Sequence, residues 1–118
     1  MSKNNGSVVT MGPQIQRREA WVDLPEEYAG FKVKIWVNAP NTLWDDTKST
    51  DETKVAAAVK RIFLEHNGWR DYEGNTYPSP TEDDFWQQIP TELATVMIVV
   101  AQKEAATLPN SMLPKRQR

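Results

Sequence analysis

A chain of 118 residues carries one domain with one modest core, and its 39% hydrophobic and 25% charged composition fits a folded, water-exposed protein. A formal net charge of -2, with no basic stripe, argues against a dedicated nucleic-acid binder. The absence of cysteine removes disulfides, thiolate nucleophiles and cysteine-based zinc sites, and is expected of a reducing compartment.

Residues 1–17 are rich in Ser, Asn, Gly and Gln, lack the apolar core of a signal peptide, and read as a flexible arm. The domain is expected over 18–108. Residues 18–24 form a candidate strand, and Pro25 to Gly30 a turn region punctuated by Pro and Gly. Residues 31–37 alternate: Phe31, Val33, Ile35 and Val37 point one way, and Lys32, Lys34 and Trp36 the other. Period-2 alternation with β-branched residues predicts a strand, so 18–37 reads as an antiparallel hairpin with one face on the core.

The next helix is predicted to open on a capping box, with Ser49 as N-cap and Glu52 three residues later, and to run to about Glu65 or His66. Val55, Val59, Ile62, Phe63 and His66 fall on one helical stripe, and Asn67-Gly68 supplies a natural C-terminal stop. Residues 66–93 then join two helical segments through a connection holding Trp69, Tyr72, Tyr77, Phe85 and Trp86, five of the eleven aromatics. Loops in compact domains run to about 4–6 residues, so this one reads as an ordered hairpin or Ω-like loop pinned by its rings. A short helix is predicted from Thr81, broken at Pro90, followed by a longer one from Thr91 to about Thr107. On that helix Leu93, Val96, Met97 and Val100 are expected to face the core, while Ile98 and Val99 widen the apolar surface. Residues 109–118 read as a flexible basic tail, and the longest apolar run, 96–101, falls well short of a membrane span. The predicted fold class is a small single α+β domain, an N-terminal antiparallel β-hairpin packed on two to three α-helices.

Candidate chemistry is sparse. The lone His66 stands where a helix is expected to end, a position that favours carbonyl capping over general-base work. Asp71 to Glu82 spans the length of a calcium loop, but the position that requires glycine is Thr76, so a tight turn at Glu73-Gly74-Asn75 accounts for the pattern better. The acids at 45–46 and 82–84 lie at loops or helix starts, where acids are expected. No phosphate-binding glycine loop and no Ser/His/Asp arrangement can be assembled. No catalytic residue, cofactor or metal is therefore expected.

The aromatics remain. Trp36 lies opposite the apolar face of its strand, and either anchors a partner or packs beneath the N-terminal arm or the loop. Trp69 and Trp86 flank helix ends and read first as core. Lys115, Arg116 and Arg118 are solubilising charges or a docking segment.

The run His66-Asn67-Gly68-Trp69-Arg70-Asp71-Tyr72-Glu73-Gly74-Asn75-Thr76-Tyr77-Pro78 and the run Phe85-Trp86-Gln87-Gln88-Ile89-Pro90-Thr91-Glu92-Leu93 resemble segments of the tail assembly chaperones of long-tailed bacteriophages. In those proteins an amphipathic helix precedes a tryptophan-bearing acidic turn and an FW-x-x-(I/L)-P motif that leads into a last helix. Trp36 to Pro40 is similar to their early strand, and the likeness covers roughly residues 18–108. It implies a non-enzymatic protein of the host cytoplasm that binds the tape-measure protein, keeps it soluble and helps recruit tail-tube subunits, with self-association through any apolar surface left uncovered. The irregular ending 108–118 suits the short form in which many of these chaperones are made. Neither nucleic acid nor membrane is expected as a partner. The partner-binding candidates are Trp36, Trp69, Phe85, Trp86, Val96, Val100, Lys115, Arg116 and Arg118. Two other readings stand beside this one: a small virion protein of the tail or head-tail connector, and a phage-encoded inhibitor of a host protein.

Overall fold

The computed structural model describes residues 11–107. The hairpin forms as its alternation predicts. Strand β1 (Glu19–Asp23) pairs antiparallel with β2 (Lys32–Trp36), in a register that sets Glu19 opposite Trp36 and Asp23 opposite Lys32. Between them runs a short 3-10 turn, Glu26–Tyr28, whose first residue adopts a φ of 54°, rare for a residue with a side chain. Val22, Leu24, Val33, Ile35 and Val37 are buried on the inner face. On the outer face Lys34 reaches Glu19 at 3.6 Å and Glu65 at 3.4 Å, and Lys32 reaches Asp23 at 3.8 Å. Cross-strand pairs of opposite charge suit a sheet face left to water.

A third strand lies where the sequence predicts the end of a helix. Helix α2 (Glu52–Ile62) stops at Ile62, Phe63 turns extended, and β3 (Phe63–His66) pairs antiparallel with the other edge of β2. The sheet order is β1-β2-β3. Phe63 and His66 are three residues apart, a helical spacing, and they share one side of the sheet, opposite Ile35 and Val33, only because the β2–β3 register shifts between Lys34 and Ile35. The decision is made at a distance by Asn67. Its Oδ1 accepts from Lys32 N at 2.9 Å and from Trp69 Nε1 at 2.8 Å, its Nδ2 donates to Gly30 O at 3.1 Å, and its own backbone N–H donates to Lys32 O at 3.2 Å. The Asn67-Gly68 pair thus ends a strand rather than a helix, with Gly68 at a φ of 90°.

Two further corrections are local. Asp51, not Ser49, caps α2: its side chain accepts from Thr53 N at 3.0 Å, while Ser49 Oγ accepts from Asp51 N at 2.9 Å one step earlier. A short helix, α1 (Asn41–Asp46), occupies what reads as loop. Asn, Thr and Asp are poor helix formers, and one buried side chain, Leu43, anchors this turn and a half to the core. Helices α3 (Asp83–Gln88) and α4 (Thr91–Ala106) meet at Pro90 as predicted. Lys60 of α2 reaches Asp83 of α3 at 2.6 Å.

The result is a small α+β domain with, among the described residues, a three-stranded antiparallel sheet and four α-helices. Its core joins the inner sheet face to Ala58, Val59 and Ile62 of α2 and to Leu93, Met97 and Ala101 of α4. No helix among the described residues is long and apolar enough to cross a membrane.

Candidate functional site

The loop between β3 and α3 is built from the inside outward by rings. Phe85, fully buried, stacks on His66 with centroids 5.7 Å apart and touches Trp69 at 5.7 Å, Tyr77 at 6.1 Å and Trp86 at 5.0 Å. Trp69, 3% exposed, packs on Phe31 at 5.1 Å, and Trp86 packs on Phe63 at 5.2 Å. Burial of the Tyr77 hydroxyl pushes its pKa upward. Two of the expected partner anchors, Trp69 and Phe85, are therefore core residues with no face for a partner. Trp86 is half-buried, and its indole N–H donates to Pro80 O at 2.7 Å.

His66 completes this cluster. Its Nδ1 accepts from the backbone N–H of Gly68 and of Trp69, both at 3.0 Å, and its Nε2 faces the carbonyls of Tyr77 at 3.1 Å and Pro78 at 3.0 Å. This pattern defines the tautomer: Nδ1 bare, Nε2 carrying the proton. Asp71 is likewise engaged, with Oδ1 accepting from Glu73 N and Asn75 N at 2.9 Å each, around Gly74 at a φ of 88°. It closes a tight turn, as the sequence predicts. Among the described residues no group of three or more His, Asp or Glu is placed to hold a metal ion.

Trp36 lies under the arm. Asn38 fastens the arm's end, its Nδ2 donating to Gln16 O at 2.8 Å and its Oδ1 accepting from Arg18 N at 2.7 Å. This sets the Arg17 guanidinium over the Trp36 ring, 4.2 Å from its centroid. The Trp36 Nε1 is buried without a hydrogen-bond partner. Its neighbour on the outer sheet face, Trp21, is the more open ring at 47% exposure.

Helix α4 supplies the other half of the candidate surface. Leu93, Met97 and Ala101 are buried, while Val96 and Val100, expected in the core, sit half-buried on its flank. Ala101 takes the place predicted for Val100, because the buried stripe follows a spacing of four. Val99 is exposed. Glu92, Val96, Val99, Val100 and Lys103 occupy positions i, i+4, i+7, i+8 and i+11, so they form one stripe along the outer flank, charged at both ends, in whose apolar middle Val99 is exposed and Val96 and Val100 pack partly against the core.

No family model, no curated protein and no solved structure matches this chain. The assignment of a role therefore rests on the sequence motifs and on the surface itself.

At the start of α4 lies a mostly apolar depression of about 230 Å³, lined by Tyr28, Phe31, Arg70, Asp71, Tyr72, Tyr77, Pro90 and Leu93. The Tyr72 ring is 90% exposed, unlike the other rings of its loop. The Glu27 carboxyl is held above its ordinary range by a hydrogen bond with Glu92 and by that residue's like charge. Sequence reading does not find this groove. Its rings come from a turn in the hairpin and a turn in the long loop, and no periodicity connects them. The one available signal is that Tyr28 and Tyr72 both stand in turn segments, off any apolar stripe. Of the other expected partner residues, Lys115, Arg116 and Arg118 lie outside the described residues.

Proposed function

We propose that this chain is a non-enzymatic phage tail assembly chaperone that binds the tape-measure protein in the host cytoplasm and helps recruit tail-tube subunits. The observation that carries the reading is the outward stripe of α4. A surface helix usually turns polar residues to water, whereas α4 leaves Val99 exposed, with Val96 and Val100 half-buried beside it, between Glu92 and Lys103. A helical partner needs such an apolar strip with polar ends, on which its own residues at i, i+3, i+4 and i+7 rest. The two sequence motifs support the same reading: the first builds the aromatic loop, and the second runs from α3 into the start of α4.

Co-expression with the tape-measure protein encoded by the same genome tests it. The expected result is that the tape measure becomes soluble and co-purifies with the chain, and that Val99→Asp reduces its recovery at least about tenfold, as a buried, unpaired carboxylate in the contact requires. Failure to form a complex, together with presence of the chain in purified virions, overturns this reading in favour of a structural tail component.

A further inference from the structure

The arm over Trp36 is held by little. Every residue from Met11 to Arg18 is exposed, Met11 at 88% and Ile15 at 86%, so among the described residues no apolar side chain of the arm fastens it to the core. What fastens it is Asn38, which grips the arm on both sides of Arg17, through Gln16 O and Arg18 N. Between these two points Arg17 spreads over the Trp36 ring and reaches Glu19 at 3.1 Å. That ion pair lies open to water on both sides and contributes little. The closed arrangement also carries a cost, because the Trp36 Nε1 beneath it is buried with its hydrogen unbonded. A segment with no buried contacts of its own, lying on a donor that water would satisfy, opens at low cost while the core stays folded.

We propose that residues 11–17 form a strap latched by Asn38, which opens without unfolding of the domain, hydrates the Trp36 indole and joins that ring to Trp21 in one two-ring face. The strap has a fixed root: Arg18 O accepts from Val37 N at 2.8 Å and extends the β1–β2 ladder by one step, so the hinge falls at Arg17. The register sets the two rings together. Glu19 stands opposite Trp36 and Trp21 opposite Lys34, which makes the indoles diagonal neighbours on the outer face of the sheet. Lys34 Nζ lies 5.9 Å from the Trp21 ring centroid. Closed, the strap leaves Trp21 open and hides Trp36. Open, both rings stand beside Lys34, a flat amphipathic face of the kind on which partner contacts concentrate. The latch therefore sets how much of this face a partner meets. It lies on the side of the sheet turned away from the core that α4 shares, so the inference is independent of the tape-measure reading.

Hydrogen exchange at the indole N–H groups of the full chain, followed by nitrogen-15 NMR, tests it. Trp69 is the internal reference, since it is 3% exposed and its indole N–H donates to Asn67. The Trp36 indole is expected to exchange at least about tenfold faster than that of Trp69, because the strap opens more often than the whole domain unfolds. Asn38→Ala removes both grips of the latch and is expected to speed Trp36 exchange by about a further tenfold, as the loss of two hydrogen bonds requires. Arg17→Ala, at an exposed residue outside the core, is expected to speed it roughly threefold. In both variants the Trp69 rate is expected to hold, which separates opening of the strap from general destabilisation. Trp36 exchange as slow as that of Trp69 in the parent chain, a Trp36 rate that neither variant moves, or equal acceleration of both indoles in both variants overturns the inference. Recovery of the tape-measure protein in co-expression bears on the chaperone reading alone.

Discussion

Phe85→Ala is expected to destabilise the domain by about 3–5 kcal/mol, the largest effect of any single truncation in this chain. The side chain is fully buried and meets four other rings, His66, Trp69, Tyr77 and Trp86. Those rings belong to β3, to the loop and to α3, and three of them, His66, Trp69 and Trp86, are fixed by their own hydrogen bonds, so they have little freedom to collapse into the vacated space. The cost therefore contains both the lost transfer free energy and most of the cavity term. Small domains have a total stability of about 5–15 kcal/mol, so the variant is expected to stand close to unfolding at ambient temperature. Urea denaturation reads it: the midpoint should fall sharply with the slope unchanged. A loss below about 1 kcal/mol would mean that the cluster repacks, and that the ring geometry described above does not hold the loop.

His66→Leu is expected to cost about 2–4 kcal/mol for a different reason, since leucine retains apolar bulk against Trp69 and Phe85 but offers no acceptor or donor. Gly68 N and Trp69 N then lose the lone pair that receives them, and the carbonyls of Tyr77 and Pro78 lose the Nε2 proton. His66→Asn places a side-chain oxygen near the position of Nδ1 and should recover part of the loss. Amide exchange is the decisive reading: Gly68 and Trp69 should exchange faster in the leucine variant by more than the global change in stability accounts for. A leucine variant within about 0.5 kcal/mol of the parent would show that the ring nitrogens contribute nothing beyond packing.

The hairpin was legible because its determinants are local. The alternation from Phe31 to Val37 and the Pro25 and Gly30 punctuation specify strand, turn and facing without reference to the rest of the chain. Pro90 is legible for the same reason, since its ring ends α3 and presets the first turn of α4. Strand β3 was not, because Phe63 and His66 stand at a helical spacing and share a sheet face only through a register shift, and the choice depends on Asn67 contacting Gly30, Lys32 and Trp69. The same limit applies to the site. An aromatic in a turn segment has no local mark that distinguishes Trp69, wholly inside, from Tyr72, almost wholly outside. Only the three-dimensional arrangement puts Tyr28 beside Tyr72, or shows that Arg17 and the arm cover Trp36.

Asparagine followed by glycine is the dipeptide most prone to lose its side-chain amide, because the unhindered glycine nitrogen attacks the asparagine carbonyl carbon to give a succinimide. Here the attacking nitrogen, Gly68 N, points its hydrogen at His66 Nδ1, and the Asn67 amide is held at both ends by Gly30, Lys32 and Trp69. The native fold thus restrains a reaction that the loose chain undergoes freely. Once the amide hydrolyses, the resulting carboxylate has no hydrogen for the Gly30 carbonyl, and the staple between hairpin and loop does not re-form as before. Of the two Asn-Gly pairs in the sequence, Asn5-Gly6 and Asn67-Gly68, the second is the one whose conversion is tied to loss of this fold, so the fraction of molecules converted at Asn67 keeps a chemical tally of the time each has spent unfolded.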